Sequence, residues 1–254
     1  MQEILIALAI SLTIQVVFFT LAYLGKTDRY TDLSYGSTFI IISIYLLLKI
    51  ADTNMRQVLV ASAVILWGTR LSGYLFIRIF KIKKDIRFNN IRNDFYKFAK
   101  FWLLQGISVW LVMLSTILAF QTNSNNISIL NIMGLVIWLL GILIETVSDS
   151  QKFKFINRNP GKWVNTGLWK YSRHPNYFGE MLCWWGLLIA VFNSETDIQL
   201  IGLISPIYIT ALLLFVSGIP PLEKKMDEKY KGNKDYQRYK DETSLLIPLP
   251  TRKG

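Results

Sequence analysis

The chain has 254 residues, 52% of them hydrophobic and only 18% charged, with a net charge of +11 and a mean hydropathy of +0.34. A soluble domain of this length carries about 25% charged residues, so a soluble globular enzyme is excluded; the basic residues sit in short segments between apolar runs, which excludes a nucleic-acid-binding surface as the source of the charge. One cysteine, Cys183, and one histidine, His174, exclude an intramolecular disulfide and every multi-histidine metal centre, so no metal is expected.

A spanning helix needs roughly 20 mostly apolar residues. In chain order the apolar runs are Ile4–Tyr23, Leu33–Leu48, Val58–Phe80, Phe101–Phe120, Ile127–Val147, Phe178–Phe192 and Ile198–Gly218. The first opens at Met1-Gln2-Glu3 with no basic region before it, which reads as a retained helix and not a cleaved signal. The third carries Arg70 and Arg78. Segments 24–32, 81–100, 150–174 and 219–254 hold nearly all of the 28 lysines and arginines, whereas the alternate segments hold only Lys49 and Arg56. That alternation fits seven spans with the N-terminus outside and the C-terminus cytoplasmic. The expected fold is an all-α polytopic bundle of about seven transmembrane helices. The whole chain, 1–254, is read as a single integral membrane domain. Residues 1–120 supply the substrate-side helices, and 127–254 supply a C-terminal half with a cytoplasmic tail.

Three clusters carry chemistry. Glu145, Asp149 and Lys152 fall at i, i+4 and i+7, one helix face at the end of the fifth run. Next, Gly167-Leu-Trp-Lys-Tyr-Ser-Arg-His-Pro-Asn-Tyr-Phe-Gly-Glu180 brings Tyr171, Arg173, His174, Asn176, Tyr177 and Glu180 to the start of the sixth span. Pro175 suits a first helical turn, and Tyr177, Glu180 and Trp184 then share a face. A carboxylate such as Glu180, one turn into a membrane, is costly unless paired or hydrated. The structural alternative is an interfacial anchor in which Glu180 pairs with Arg173. Third, Leu222, Met226 and Tyr230 form an apolar stripe after Pro220-Pro221, followed by Tyr236 and Tyr239. This is either an amphipathic helix on an anionic bilayer or a cap over the bundle. Glu223 lies beside Lys224-Lys225 and reads as isolated. Trp67, Arg70 and Tyr74 share a face of the third span, where Arg70 needs a partner such as Glu145 or Asp149. Asp85-Ile-Arg87-Phe88 reads as a solvated loop. No Rossmann or Walker glycine pattern occurs.

The Gly167–Glu180 element with Trp184-Trp185-Gly186 resembles the bacterial membrane branch of the steroid 5-alpha-reductase superfamily, once catalogued only as a domain of unknown function. Asp32-Leu-Ser-Tyr-Gly36, Leu66-Trp-Gly-Thr-Arg70, Gln105-Gly106, Glu145-Thr-Val-Ser-Asp149 and Thr243-Ser-Leu-Leu-Ile-Pro248 extend the resemblance over most of the chain. Relatives include delta-14 sterol reductases, which use NADPH, and isoprenylcysteine carboxyl methyltransferases, which use S-adenosylmethionine. The resemblance implies a cofactor site of Glu145, Asp149, Lys152, Arg173, His174, Asn176, Tyr177, Glu180, Trp184, Tyr230 and Tyr239. Tyr177, Glu180 and Tyr74 are the candidates for catalysis. The chain departs from the steroid branch in lacking the tail Arg and His, and the early Gln-Glu pair that meets a substrate ketone. The reading is an NADPH-dependent oxidoreductase of lipid metabolism, reducing a carbon-carbon double bond of a lipid-soluble steroid- or isoprenoid-like enone in a bacterial inner membrane. The alternatives are an S-adenosylmethionine-dependent methyltransferase of a lipid or prenylated substrate, and a non-enzymatic membrane scaffold. The lipid bilayer and a lipophilic small molecule are the expected partners, with no nucleic acid.

Overall fold

A computed structural model describes residues 2–49, 53–82, 88, 91–121, 126–192 and 199–251, with the side chains of 75–82 and 199 outside the description. Asp85, Arg87 and the side chain of Arg78 therefore lie outside the described residues. The described chain is helical: α1 Gln2–Leu24, α2 Tyr30–Lys49, α3 Met55–Ile82, α4 Phe95–Ala119, α5 Ile129–Arg158, α6 Pro175–Val191, α7 Gln199–Gly202, α8 Ile204–Ala211, α9 Ile219–Lys229 and α10 Lys234–Glu242. A 3-10 turn covers Gly167–Lys170 and a π turn covers Leu212–Val216. Among the described residues the sole β feature is one parallel bridge between Ser172 and Ser244.

Among the described residues, five helical stretches are long and apolar enough to cross a membrane: Gln2–Leu24, Tyr30–Lys49, Phe95–Ala119, Ile129–Arg158 and Leu200–Lys229. Helices suit that setting because each satisfies its backbone hydrogen bonds internally. The chain is an integral membrane protein of α-helices. Besides these five, α3 is a 28-residue helix and α6 has 17 residues.

The chain divides into two compact units, Met1–Asn131 with Ala190–Ser205, and Ile132–Ile189 with Pro206–Gly254. In the first, polar side chains tie helices together where apolar surface alone discriminates poorly. Gln15 Nε2 donates to Thr38 Oγ1 at 3.0 Å, Gln105 Nε2 lies 3.0 Å from Gln15 Oε1 and 2.9 Å from Ser34 Oγ, and Ser11 Oγ donates to the Gly106 carbonyl at 2.8 Å. Helices α2 and α3 touch at Gly36 and Gly68, where a Cβ on Gly36 would stand 3.0 Å from the Gly68 carbonyl oxygen. A buried ion pair, Arg92 to Asp28 at 3.2 Å, joins the loops before α4 and α2. At the start of α3, Asn54 and Gln57 cap each other's backbone N–H groups.

In the second unit, α5 and α6 cross on glycines. A Cβ on Gly141 would lie 2.7 Å from the Cys183 nitrogen, one on Gly179 would lie 2.7 Å from the Glu145 nitrogen, and one on Gly186 would lie 2.5 Å from the Trp138 nitrogen. Side chains are excluded at these three positions, so the two backbones approach directly, as small residues allow between membrane helices. The last apolar run is not one α-helix. It breaks at Leu203 and ends in the π turn, where Ser217 N–H donates to the Leu212 carbonyl. Gly218 follows with room for no side chain, since a Cβ there would lie 2.4 Å from the Leu213 oxygen. Pro220 and Pro221 then open α9, where missing N–H groups cost little.

Candidate functional site

The site is built within the second unit, where α5 holds the segment leading into α6. Gly167, at φ +62°, presses against the Gln151 carboxamide, whose oxygen accepts from Leu168 N–H at 2.9 Å. The Trp169 indole donates to the Ser148 carbonyl at 2.9 Å, and the Lys152 ammonium sits 4.8 Å from the Trp169 ring centroid. One face of α5 thus fixes the turn that delivers Tyr171 to His174.

The C-terminal segment fixes the same turn from another side. Arg173 N–H donates to the Ser244 carbonyl at 2.8 Å and Leu249 N–H to the Tyr171 carbonyl at 3.2 Å. Ser172 Oγ donates to the Leu246 carbonyl at 2.6 Å and accepts from His174 N–H at 3.1 Å. Tyr239 OH donates to the Trp169 carbonyl at 2.7 Å, and Tyr230 OH donates to the Gly161 carbonyl at 2.6 Å. Trp163, Tyr230 and Tyr236 pack ring against ring, with centroids 5.1–5.4 Å apart.

Glu223, on α9, is the electrostatic centre. Its Oε1 lies 2.8 Å from His174 Nε2, while Oε2 accepts from Arg173 and stands 3.7 Å from Lys240 Nζ. Lys240 also meets Asp227 Oδ1 at 2.6 Å, and Tyr236 OH donates to the same oxygen at 3.3 Å. The His174 ring lies parallel to Tyr177, with 5.7 Å between centroids. Burial pushes the His174 imidazole below its ordinary value, against the opposing pull of the Glu223 carboxylate. Burial also pushes the Tyr239 phenol well above its ordinary range, so it stays protonated as a donor.

The sequence paired Arg173 with Glu180 in its structural alternative and left Glu223 isolated. The structure pairs Arg173 with Glu223 instead, because the segment 171–173 is held against 244–249 and so faces α9. Nothing local in the sequence marks Glu223, whose partners Arg173, His174 and Lys240 are all distant in the chain. Trp163 and Lys240 are likewise not singled out by the sequence, since their partners Tyr230, Tyr236, Glu223 and Asp227 lie in other turns or segments of the chain.

Of the expected residues, Glu145 and Asp149 are buried on α5, and the Gly179 contact brings the first turns of α6 against Glu145. Trp184 is 1% exposed; Glu180, Tyr177 and Lys152 are half-buried. Tyr74 belongs to the first unit, where the Arg70 guanidinium lies 5.8 Å from its ring centroid. Several buried polar atoms meet no hydrogen-bond partner among the described residues; those in this unit include Asn176 Oδ1, Arg173 Nε, Trp163 Nε1 and Trp138 Nε1. Such an atom costs about 1–3 kcal/mol if it stays unmet, so a group that pairs it gains that much. Asn176 Oδ1 is an acceptor and fits an amide N–H or a hydroxyl. Among the described residues, no group of three or more His, Cys, Asp or Glu could hold a metal ion.

A family model described as a protein of unknown function, DUF1295, matches residues 18–243, a range that takes in Glu145 to Tyr239 and stops just before the Ser244–Leu249 segment. No curated protein and no solved structure matches the chain.

Proposed function

Since the chain belongs to the DUF1295 family, which is steroid 5-alpha-reductase-like, we propose that it is a membrane oxidoreductase using NADPH to reduce a carbon-carbon double bond of a lipid-soluble, steroid- or isoprenoid-like enone. The observation that carries the reading is the buried, unmatched Asn176 Oδ1 at the first turn of α6. It supports a ligand bearing an amide or hydroxyl donor, and NADPH offers both in its carboxamide and ribose groups. When bound, NADPH supplies a hydride at a nicotinamide carbon.

The chain's own residues then bind, orient and exclude water. Arg173 and Lys152 supply positive charge for phosphates, while Glu145, Asp149, His174, Asn176 and Glu180 supply hydrogen-bonding groups. Tyr177 and Trp184 offer ring faces. Tyr230 and Tyr239 hold the loop 161–169 that borders the site. One alkene carbon gains a hydride and the other a proton; Tyr177 is the donor proposed here, and water restores the proton. The close α5–α6 glycine packing leaves no side-chain gap for water between those helices.

The finer topology belongs to the same proposal: seven spans, N-terminus outside and C-terminus cytoplasmic, in a bacterial inner membrane. The alternation of lysines and arginines supports it. A second reading, an S-adenosylmethionine-dependent methyltransferase, is favoured by one observation: the tail carboxylate of Glu223 joins the Arg173-His174 element.

Calorimetry on the purified protein in lipid nanodiscs tests both readings. The expected result is NADPH binding that weakens in Asn176→Ala. Binding of S-adenosylmethionine without NADPH would install the second reading, and binding of neither would remove both. Mass spectrometry of lipid extracts from cells with and without the gene then identifies the substrate.

A further inference from the structure

We infer that Glu223 is a positioning residue that fixes the tautomer of His174, the chain's single histidine, so that Nδ1 accepts a hydrogen bond from a hydroxyl or amide N–H of the bound nucleotide. The first half stands on geometry alone. The second rests on the NADPH reading above.

The two oxygens of Glu223 are divided between two partners. Oε2 takes Arg173, with Lys240 beyond it, and Oε1 faces His174 Nε2 at 2.8 Å. With two cations on Oε2 the carboxylate stays ionised, and an ionised carboxylate only accepts hydrogen bonds. Nε2 must therefore carry the proton. In a neutral imidazole the other nitrogen is then the lone-pair acceptor. A half-turn of the ring would put Cε1 in place of Nε2 and forfeit the 2.8 Å contact to Glu223, so that contact also selects the ring orientation. Burial favours the neutral ring.

Glu223 is not needed merely to fasten the C-terminal segment. That segment is already held by the Ser172–Leu246, Arg173–Ser244, Leu249–Tyr171 and Tyr239–Trp169 hydrogen bonds. What those bonds leave undetermined is which nitrogen of His174 bears hydrogen, and the carboxylate on Nε2 decides that. A carboxylate behind an imidazole has the same effect in hydrolytic triads, where it holds the ring in the competent tautomer.

The single histidine makes the test clean. In protein labelled with nitrogen-15 at histidine and held in nanodiscs, the ring resonances report one residue. The expected wild-type spectrum is one neutral tautomer protonated at Nε2. Glu223→Gln, whose amide can either accept or donate, is expected to give a mixture, and Glu223→Asp, which keeps an acceptor carboxylate, to restore one form. NADPH is expected to move the Nδ1 resonance, and to bind about tenfold more weakly in Glu223→Gln, the scale of losing a partner that orients a ligating imidazole. A wild-type ring protonated at Nδ1 overturns the inference without any variant, as does an unchanged spectrum in folded Glu223→Gln. If Glu223→Gln shifts the tautomer while NADPH binds but leaves both nitrogens unmoved, the first half is supported and the ligand half alone is overturned; absence of NADPH binding overturns the reductase reading instead.

Discussion

Glu223 Oε1 and His174 Nε2 stand 2.8 Å apart although 49 positions separate them in the chain. The pair joins the helix after the last apolar run to the residue before α6, and it places Arg173 on the same carboxylate. A carboxylate with three cationic or N–H neighbours orders all of them at once, so its loss is felt at several side chains.

Removing it with Glu223→Ala is expected to cost about 1–3 kcal/mol of stability. The side chain is 19% exposed, which leaves the cost below that of a fully buried pair but above that of a surface one. Thermal unfolding in detergent at fixed ionic strength measures it. A change under a few tenths of a kcal/mol would mean that water already satisfies Arg173 and His174.

His174 gives a pH dependence with a defined sign. Its ordinary value is 6.5, and burial lowers it in the folded protein. As pH falls through 6.5 the unfolded chain takes up the proton first, so stability is full above that value and declines below it until the folded form protonates too. Thermal unfolding scanned from about pH 7.5 to 5.5 should therefore show a falling midpoint. His174→Gln, which can still donate to Glu223, should flatten that part of the profile. A midpoint that rises on acidification would show that the Glu223 pull outweighs burial.

Hydropathy located the helices because it measures the term that drives them, yet it misplaced the ends where chemistry gathers. The fifth run reads as Ile127–Val147, whereas α5 continues to Arg158, because helix geometry outlasts the apolar stretch once Glu145, Asp149 and Lys152 share a face. The sixth run reads from Phe178 by hydropathy, and it is the proline signal, with Pro175 in a first helical turn, that matches the start of the helix. The break at Leu203 and the π turn leave no mark on hydropathy, since Leu212–Val216 is apolar throughout. The polar groups around Asn176 were legible because they are consecutive in sequence. Glu223 was not, because its meaning comes from Arg173 and His174, and a carboxylate beside two lysines has the local pattern of a solvated helix.

The glycines of the second unit separate two kinds of constraint. Gly179→Ala puts a Cβ 2.7 Å from the Glu145 nitrogen and the Gly141 oxygen, both backbone atoms, and is expected to cost about 1–3 kcal/mol through overpacking. Gly161→Ala meets nothing within 4 Å but sits at φ +86°, so it is expected to cost about 1–2 kcal/mol through conformation alone. The discriminating measurement is NADPH binding in the folded variants. Gly179→Ala should weaken it by displacing α6 from Glu145, and Gly161→Ala should weaken it less, acting only through the loop that Tyr230 ties to the Gly161 carbonyl. Equal binding losses would show that the α5–α6 spacing does not control the site.

Asn176→Ala separates a ligand role from a structural one most sharply. An asparagine retained for stability would have its oxygen paired, and truncation would then cost about 1 kcal/mol or more. Asn176 Oδ1 is instead buried with no partner among the described residues, so removing it relieves a desolvated acceptor. The folded protein is expected to keep its thermal midpoint or gain slightly. If the oxygen accepts a hydrogen bond from the nucleotide, the same variant loses about 1–2 kcal/mol of binding, roughly a 5- to 30-fold rise in the NADPH dissociation constant. Unfolding and calorimetry on one preparation therefore give opposite signs under the reductase reading. A destabilised variant with unaltered nucleotide affinity would make Asn176 a structural residue, and would withdraw the observation on which the NADPH assignment stands.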